Sequence, residues 1–274
     1  MMIVGIDIGG TTTDAVAMED GKILSLVSVT AGDPITAAAG ALGRLIEGLE
    51  RSLSDVSIIA VTGVGSARFG DNLLGIPVIK VDEFTAIGTG GSFLTGIEKA
   101  IVVSMGTGTA FVKVDGDKIS HLGGSGIGGG TLLGLSRSMI NISHISTLTK
   151  KAEKGDLNKV DLTVGEIAGG PINGLPANVT AANFGNISDE ANESDKALAL
   201  INLVIQTIGV MSIFSARAYG FSDVILTGKL TKIPQAYKIM KGVGDLFGAN
   251  FYIPEEADYS TAIGAAIHVH KKGY

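Results

Sequence analysis

The stretch Ile3-Val-Gly-Ile-Asp7-Ile-Gly9-Gly10-Thr11-Thr12-Thr13-Asp14-Ala-Val16 decides how the rest of the chain is read. A short apolar run delivers one carboxylate, Asp7, to a turn of Gly9, Gly10, Thr11, Thr12 and Thr13. A second apolar run, Ala15 to Met18, then closes at Asp20-Gly21. The pattern predicts a β-hairpin whose tip is dense in backbone N–H groups and hydroxyls, with an acid beside it. Glycines let the main chain approach a phosphate, and threonine hydroxyls donate to its oxygens. Asp7 could hold Mg²⁺ through water, because magnesium prefers oxygen ligands and gives up its hydration shell reluctantly. From this segment alone two readings stay open, a phosphate-binding hairpin and an ordinary Gly-Gly turn.

About a hundred residues on, the design returns. Ala100 to Met105 is an apolar strand, Gly106-Thr107-Gly108-Thr109 is the turn, and Ala110 to Val114 leads back to Asp115-Gly116. Both copies are followed by Lys-Ile, at Lys22-Ile23 and Lys118-Ile119. An internal repeat of a phosphate-type hairpin says more than either copy and predicts two similar halves clasping one nucleotide. The boundary falls near residue 98, giving an N-terminal half over 1–98 and a C-terminal half over 99–274.

Between and beyond the hairpins the chain alternates helix and strand. Asp33-Pro34 predicts an N-cap and first helical residue, and apolar residues recur at helical spacing from Ile35 to Leu53. Ser57 to Thr62 and Pro77 to Val81 read as strands. The second ends at Asp82-Glu83, where a helix starts. A carboxylate just past the end of a strand lines the ligand crevice of an α/β fold and could accept a proton from a substrate hydroxyl. Glu83 could equally serve only to compensate charge at the helix N-terminus. Gly123-Gly-Ser-Gly-Ile-Gly128-Gly129-Gly130-Thr131 reads as a glycine loop opening a helix through Leu132 and Leu133, a ready anion site. Lys150 to Asp156 reads as a solvated charged stretch and Ala168 to Pro176 as a loop. Ser194-Asp195 is expected to cap a long buried helix reaching Tyr219. Asp223 to Leu226 is a strand ending at Thr227-Gly228-Lys229, a helix covers Pro234 to Phe247, and a strand covers Asn250 to Ile253. Ser260-Thr261 is expected to cap a closing helix whose small residues permit close packing.

Composition narrows the function classes. With 274 residues the chain has ample core for one large domain or two smaller ones. The net charge is −6 and no Lys/Arg cluster exceeds a pair, so no nucleic-acid partner is expected. The absence of cysteine excludes disulfides, thiol catalysis and cysteine-ligated metals. His268 and His270 read as surface residues rather than zinc ligands. No uninterrupted apolar stretch reaches membrane-spanning length and no signal core is visible, so a soluble, cytoplasmic protein without a membrane partner is expected.

The ordered set of two phosphate hairpins, the Ile225–Lys229 element and the helix at Ala262–Ala266 resembles the duplicated actin-like (ribonuclease H-like) α/β ATPase fold, which includes sugar and acetate kinases. Within it the chain resembles the type II pantothenate kinases from the first hairpin to the last helix. The narrower motifs are Val81-Asp-Glu-Phe84, the long glycine run, Gly155-Asp156 with Asp161-Leu162, and Val179-Thr-Ala-Ala-Asn-Phe-Gly-Asn186. The resemblance implies ATP-dependent phosphorylation of pantothenate, or of an analogue such as pantetheine, in coenzyme A biosynthesis. It implies Glu83 as general base, Asp7 holding Mg²⁺, and Gly9 to Thr13 on the phosphates of ATP. Thr107, Gly108, Gly128 to Leu133, Gly228 and Lys229 are implied as nucleotide contacts. Glu83, His121, Gly123, Ala182 and Asn183 are implied on the acceptor side. It also implies a homodimer and CoA or an acyl-CoA as a further ligand.

Two positions depart from the family. Asp14 stands where a lysine near the phosphates is usual, and either repels ATP or points elsewhere. His121 stands where an arginine faces pantothenate, so the acceptor could lack pantothenate's carboxylate. Two other classes compete with the kinase: a nucleotide- or CoA-binding regulator without catalysis, and an activase-type ATPase. The latter would be expected to carry cluster-binding cysteines.

Overall fold

The computed structural model describes residues 1–30 and 32–274. In chain order, β1 (Met2–Ile8), β2 (Thr13–Glu19) and β3 (Lys22–Val29) form an antiparallel meander. The helix α1 (Pro34–Gly48) follows, then β4 (Val56–Thr62), β5 (Asn72–Leu73), β6 (Ile76–Lys80) and α2 (Glu83–Thr95). A second meander, β7 (Lys99–Met105), β8 (Thr109–Asp115) and β9 (Lys118–Ser125), leads into α3 (Gly129–Ile140) and α4 (Ile145–Ala152). A small ribbon of β10 (Leu162–Thr163) and β11 (Thr180–Ala182) flanks α5 (Val164–Ala168). The long α6 (Glu193–Ala218), β12 (Asp223–Thr227), α7 (Pro234–Phe247), β13 (Asn250–Tyr252) and α8 (Ser260–Lys272) complete the chain.

The duplication is visible in the sheets. The first has the order β3-β2-β1-β4-β6-β5 and the second β13-β12-β7-β8-β9. In each, the meander is antiparallel, its first strand pairs in parallel with a later one (β4 or β12), and that strand pairs in parallel with the next (β6 or β13). The helix that ends each half crosses to the other's sheet. α2 packs on β7, β8, β9 and β12, α8 packs on β1, β2 and β4, and the two helices lie against each other. Small residues make that contact: a methyl group on Gly264 would overlap the Ala86 carbonyl, and one on Gly90 the Ser260 carbonyl.

Several elements differ from the sequence expectation for local reasons. α1 stops at Gly48 because Glu50 adopts a left-handed φ of 53°, so Leu53 belongs to a separate short turn. Gly123 to Ser125 lie in β9 rather than in a loop, paired with Phe111, Ala110 and Thr109. Lys150 and Lys151 end an amphipathic helix, α4, whose Leu148 and Ala152 are buried. The cap of α6 is Asn192, whose side chain accepts from Ser194 N at 2.7 Å and Asp195 N at 3.3 Å. Ser260 is buried inside α8 rather than capping it. Finally, α6 is by length and composition apolar enough to cross a membrane, although Asn202 and Gln206 interrupt its apolar run. Its apolar side chains instead form the main core of the second half, with Leu200, Ile201, Val204, Ile205 and Ile208 fully buried.

Candidate active site

Strand register lays the floor of the site. Asp7 on β1 is opposite Asp14 on β2, Asp14 is opposite Ser28 on β3, and Asp7 lies beside Thr62 on β4. Paired residues share a face of the sheet, so Ser28, Asp14, Asp7 and Thr62 form one polar row across four strands. Two carboxylates opposite one another repel, and the conflict is resolved unequally. Asp14, 5% exposed, accepts from the Lys229 ammonium at 2.7 Å. Asp7 has no ion pair of its own among the described residues. Its burial, the charge of Asp14 and that of Glu83 push its pKa up to about 7, against a smaller pull from Lys229. A half-buried carboxylate with surplus negative charge around it suits a divalent cation. Among the described residues no three His, Asp or Glu side chains converge into a closed cage.

The first hairpin tip closes with Gly9 N donating to Thr12 O at 3.0 Å. On one side it borders a cavity of about 300 Å³, lined by Gly9 to Thr13 with Pro34, Gly65 and Arg68. On another it meets the second hairpin, where a methyl group on Gly10 would sit 3.7 Å from Thr107 Oγ1. The structure thus brings the two glycine–threonine tips, far apart in sequence, face to face.

The glycine run sits on the second hairpin. Gly129 N donates to Gly106 O at 2.8 Å and Gly130 N to Thr107 O at 2.9 Å, while Thr131 Oγ1 donates to Gly126 O at 2.6 Å. The first amides of α3 are therefore committed to the hairpin's carbonyls. Leu132 is fully buried in the core, and Leu133 is half-buried. Gly128 to Gly130 thus pack on the second hairpin, with the loop acting first as its buttress.

Thr62-Gly63 and Thr227-Gly228 are equivalent ends of β4 and β12. Both glycines have positive φ, 83° and 89°. A side chain on Gly63 would overlap the Asp7 carboxylate, and one on Gly228 would come within 2.7 Å of Met105 O, at the foot of the second hairpin. The turn after Gly228 launches Lys229 across to the first half, where it reaches Asp14 and, at 3.4 Å, Ser28 Oγ.

Glu83 is the first residue of α2, but it does not cap the helix. Asp82 does, accepting from Thr85 N at 2.9 Å and Thr85 Oγ1 at 3.0 Å. Glu83 is half-buried, and its pKa is raised by burial and by Asp82, with His121 pulling it down. Its charge is also felt by Asp7. His121 stacks on Phe84, ring centroids 3.7 Å apart and 11° from parallel. A bulge in β9 sets that orientation: His121 pairs with Val112 and Gly123 with Phe111, leaving Leu122 between them. Glu83 thus has both His121 and Asp7 within electrostatic reach.

Ala182 and Asn183 belong to a different cluster. Asn183 Nδ2 donates to Asp161 at 3.2 Å and to Gln206 at 3.3 Å. The buried Asp161 also accepts from Asn202 at 2.9 Å and Phe184 N at 2.9 Å, tying the β10–β11 ribbon to α6. Ser28 and Phe84 were absent from the sequence-derived site, and Asp14 entered it only as a departure from the family. Asp14 was within reach of it: equal spacing from the turn puts it opposite Asp7.

Two facing glycine–threonine hairpins on a duplicated sheet, with exchanged last helices, define the actin-like ATPase fold. Solved structures agree. An activator of 2-hydroxyisocaproyl-CoA dehydratase from Clostridium difficile with bound ADPNP superposes with a TM-score of 0.72 at 16% identity, covering 99% of this chain and 95% of that one. A ROK family glucokinase from Streptomyces griseus in complex with glucose and AMPPNP gives 0.64 at 16% identity, covering 99% and 100%. At the level of sequence, the Fumble family model matches residues 99–266, and the chain belongs to that family. Its relatives include a type II pantothenate kinase of Bacillus cereus, 27% identical over 278 residues and 98% of each chain. Another, from Staphylococcus epidermidis, is 29% identical over 280 residues, covering 96% of this chain and 99% of the relative.

Proposed function

We propose that the protein is an ATP-dependent kinase that phosphorylates the primary hydroxyl of pantothenate, or of a close analogue such as pantetheine, in coenzyme A biosynthesis. The observation that carries this reading is Glu83: half-buried, relieved of capping by Asp82, and within electrostatic reach of both Asp7 and His121. The relatives named as type II pantothenate kinases over nearly the full chain support it.

In this reading the triphosphate of ATP lies between the hairpin tips at Gly9–Thr13 and Thr107–Gly108. Donors from both halves then face the charge that builds up as the γ-phosphoryl group transfers. The acceptor hydroxyl attacks the γ-phosphorus, the bond to the leaving ADP breaks, and the hydroxyl proton passes to the Glu83 carboxylate. Burial raises the basicity of Glu83, which suits it to that transfer near neutral pH. Asp7 would hold Mg²⁺, which would supply positive charge against the phosphates. His121, fixed by Phe84, lies on the acceptor side with Gly123 at its bulge. Ala182 and Asn183 are expected on the same side. With no cysteine the chain offers no thiolate for a metal cluster, which argues against an activase.

The same reading includes a soluble cytoplasmic homodimer, halves meeting near residue 98, and CoA or an acyl-CoA as a second ligand. ADP release measured with pantothenate and with pantetheine tests the function. Turnover with either acceptor supports a kinase. Tight CoA binding without turnover on both would replace it with a regulator.

A further inference from the structure

The Lys229 ammonium is held in a way that a surface lysine is not. It leaves the second half from a turn pressed against Met105, the residue before the second hairpin tip, and ends against the first hairpin. There it touches Asp14 Oδ1 at 2.7 Å and Ser28 Oγ at 3.4 Å, with Asp258 at 3.7 Å and the Tyr259 ring centroid 4.7 Å away. Its side chain remains 36% exposed, so the head group is anchored without being sealed off. Lysine carries three donors around a compact charge. Asp14 and Ser28 take two of them, and the third, with Asp258 at 3.7 Å, makes no hydrogen bond and can turn to a further acceptor. The carboxylates Asp7 and Asp14 would otherwise repel a triphosphate, while Asp258 is also paired with Lys232 at 3.2 Å.

Resting on the kinase reading, we infer that Lys229 supplies the phosphate-facing cation of the cleft from the second half, and that Asp14 is the positioning residue that holds its ammonium there. Asp14 alone would repel phosphate. Paired with Lys229 it orders a flexible four-carbon chain before the nucleotide arrives, so binding does not have to bear that ordering cost. The pair also ties the floor of the first half to the turn beside the second hairpin, so the two tips are held opposite each other by an ionic contact.

A double-mutant cycle read by calorimetric titration of AMPPNP with Mg²⁺ tests this, with thermal melts of each variant to follow folding. Lys229→Met is expected to weaken binding at least tenfold, Lys229→Arg to stay within about threefold of wild type, and Asp14→Asn to weaken it about three- to tenfold. The decisive arm is the double variant: if Asp14 works through Lys229, Asp14→Asn adds no further loss to Lys229→Met. Wild-type affinity in Lys229→Met, or an Asp14→Asn loss that persists in full without the lysine, would overturn the inference and leave the kinase reading in place. A wild-type protein that binds no AMPPNP would overturn both.

Discussion

At the residue scale, the site depends on carboxylates placed where their charge is costly. For Asp7 the gap between 3.8 and about 7 corresponds to about 4 kcal/mol. Because the folded value is the higher one, the metal-free protein binds more protons than the unfolded chain between those pH values. Its stability is therefore greatest below pH 4 as far as this group is concerned, and is lost as pH rises through about 7. Asp7→Asn should flatten this trend and raise the melting temperature of the metal-free protein at pH 8, while abolishing turnover. Melting curves at pH 5 and pH 8 check it. Glu83→Gln should lower kcat by about 10²–10⁴-fold, the usual range for a positioned acid or base, with AMPPNP affinity within about threefold of wild type. Near-normal kcat would remove Glu83 from the chemistry. For His121→Arg, a permanent cation beside Glu83 should raise the pantothenate-to-pantetheine ratio of kcat/KM, which parallel assays of the two acceptors measure.

At the element scale, the contact between α2 and α8 depends on the absence of side chains. Gly264→Ala would drive a methyl group into the Ala86 carbonyl and should destabilise the protein by about 1–3 kcal/mol through overpacking, as read by urea unfolding. Asp82 sits at the start of the same α2, and Asp82→Ala should lose about 1 kcal/mol with its cap. Much at this scale was legible in the sequence. Asp33-Pro34 marked the start of α1, Pro34–Gly48, and the small residues of α8 foretold its close packing. The failures came where local signals competed. Ser194-Asp195 resembles a cap, but Asn192, two residues earlier, takes those amides. The glycines at 123 and 124 resemble a loop, yet the backbone of β8 pairs with them as a strand.

At the scale of the whole molecule, the repeated hairpin foretold a duplicated fold, and the two sheets share one pairing scheme. What the sequence could not disclose is how the halves are joined. The crossing of α2 and α8 to opposite sheets arises from contacts between residues 170 or more positions apart, such as Gly90 with Ser260. The same holds for the Asp14–Lys229 pair, separated by 215 positions. Each partner alone reads as an ordinary charge, and only the folded chain shows that one neutralises the other. The central claim is that facing hairpins from two halves grip the triphosphate of ATP while Glu83 meets the acceptor. The most direct measurement is a crystal structure with AMPPNP, Mg²⁺ and pantothenate bound. The account predicts the γ-phosphate between Gly10 and Thr107, with the Glu83 carboxylate about 3 Å from the acceptor hydroxyl. A triphosphate bound away from both tips, or a Glu83 turned from the acceptor, would contradict it.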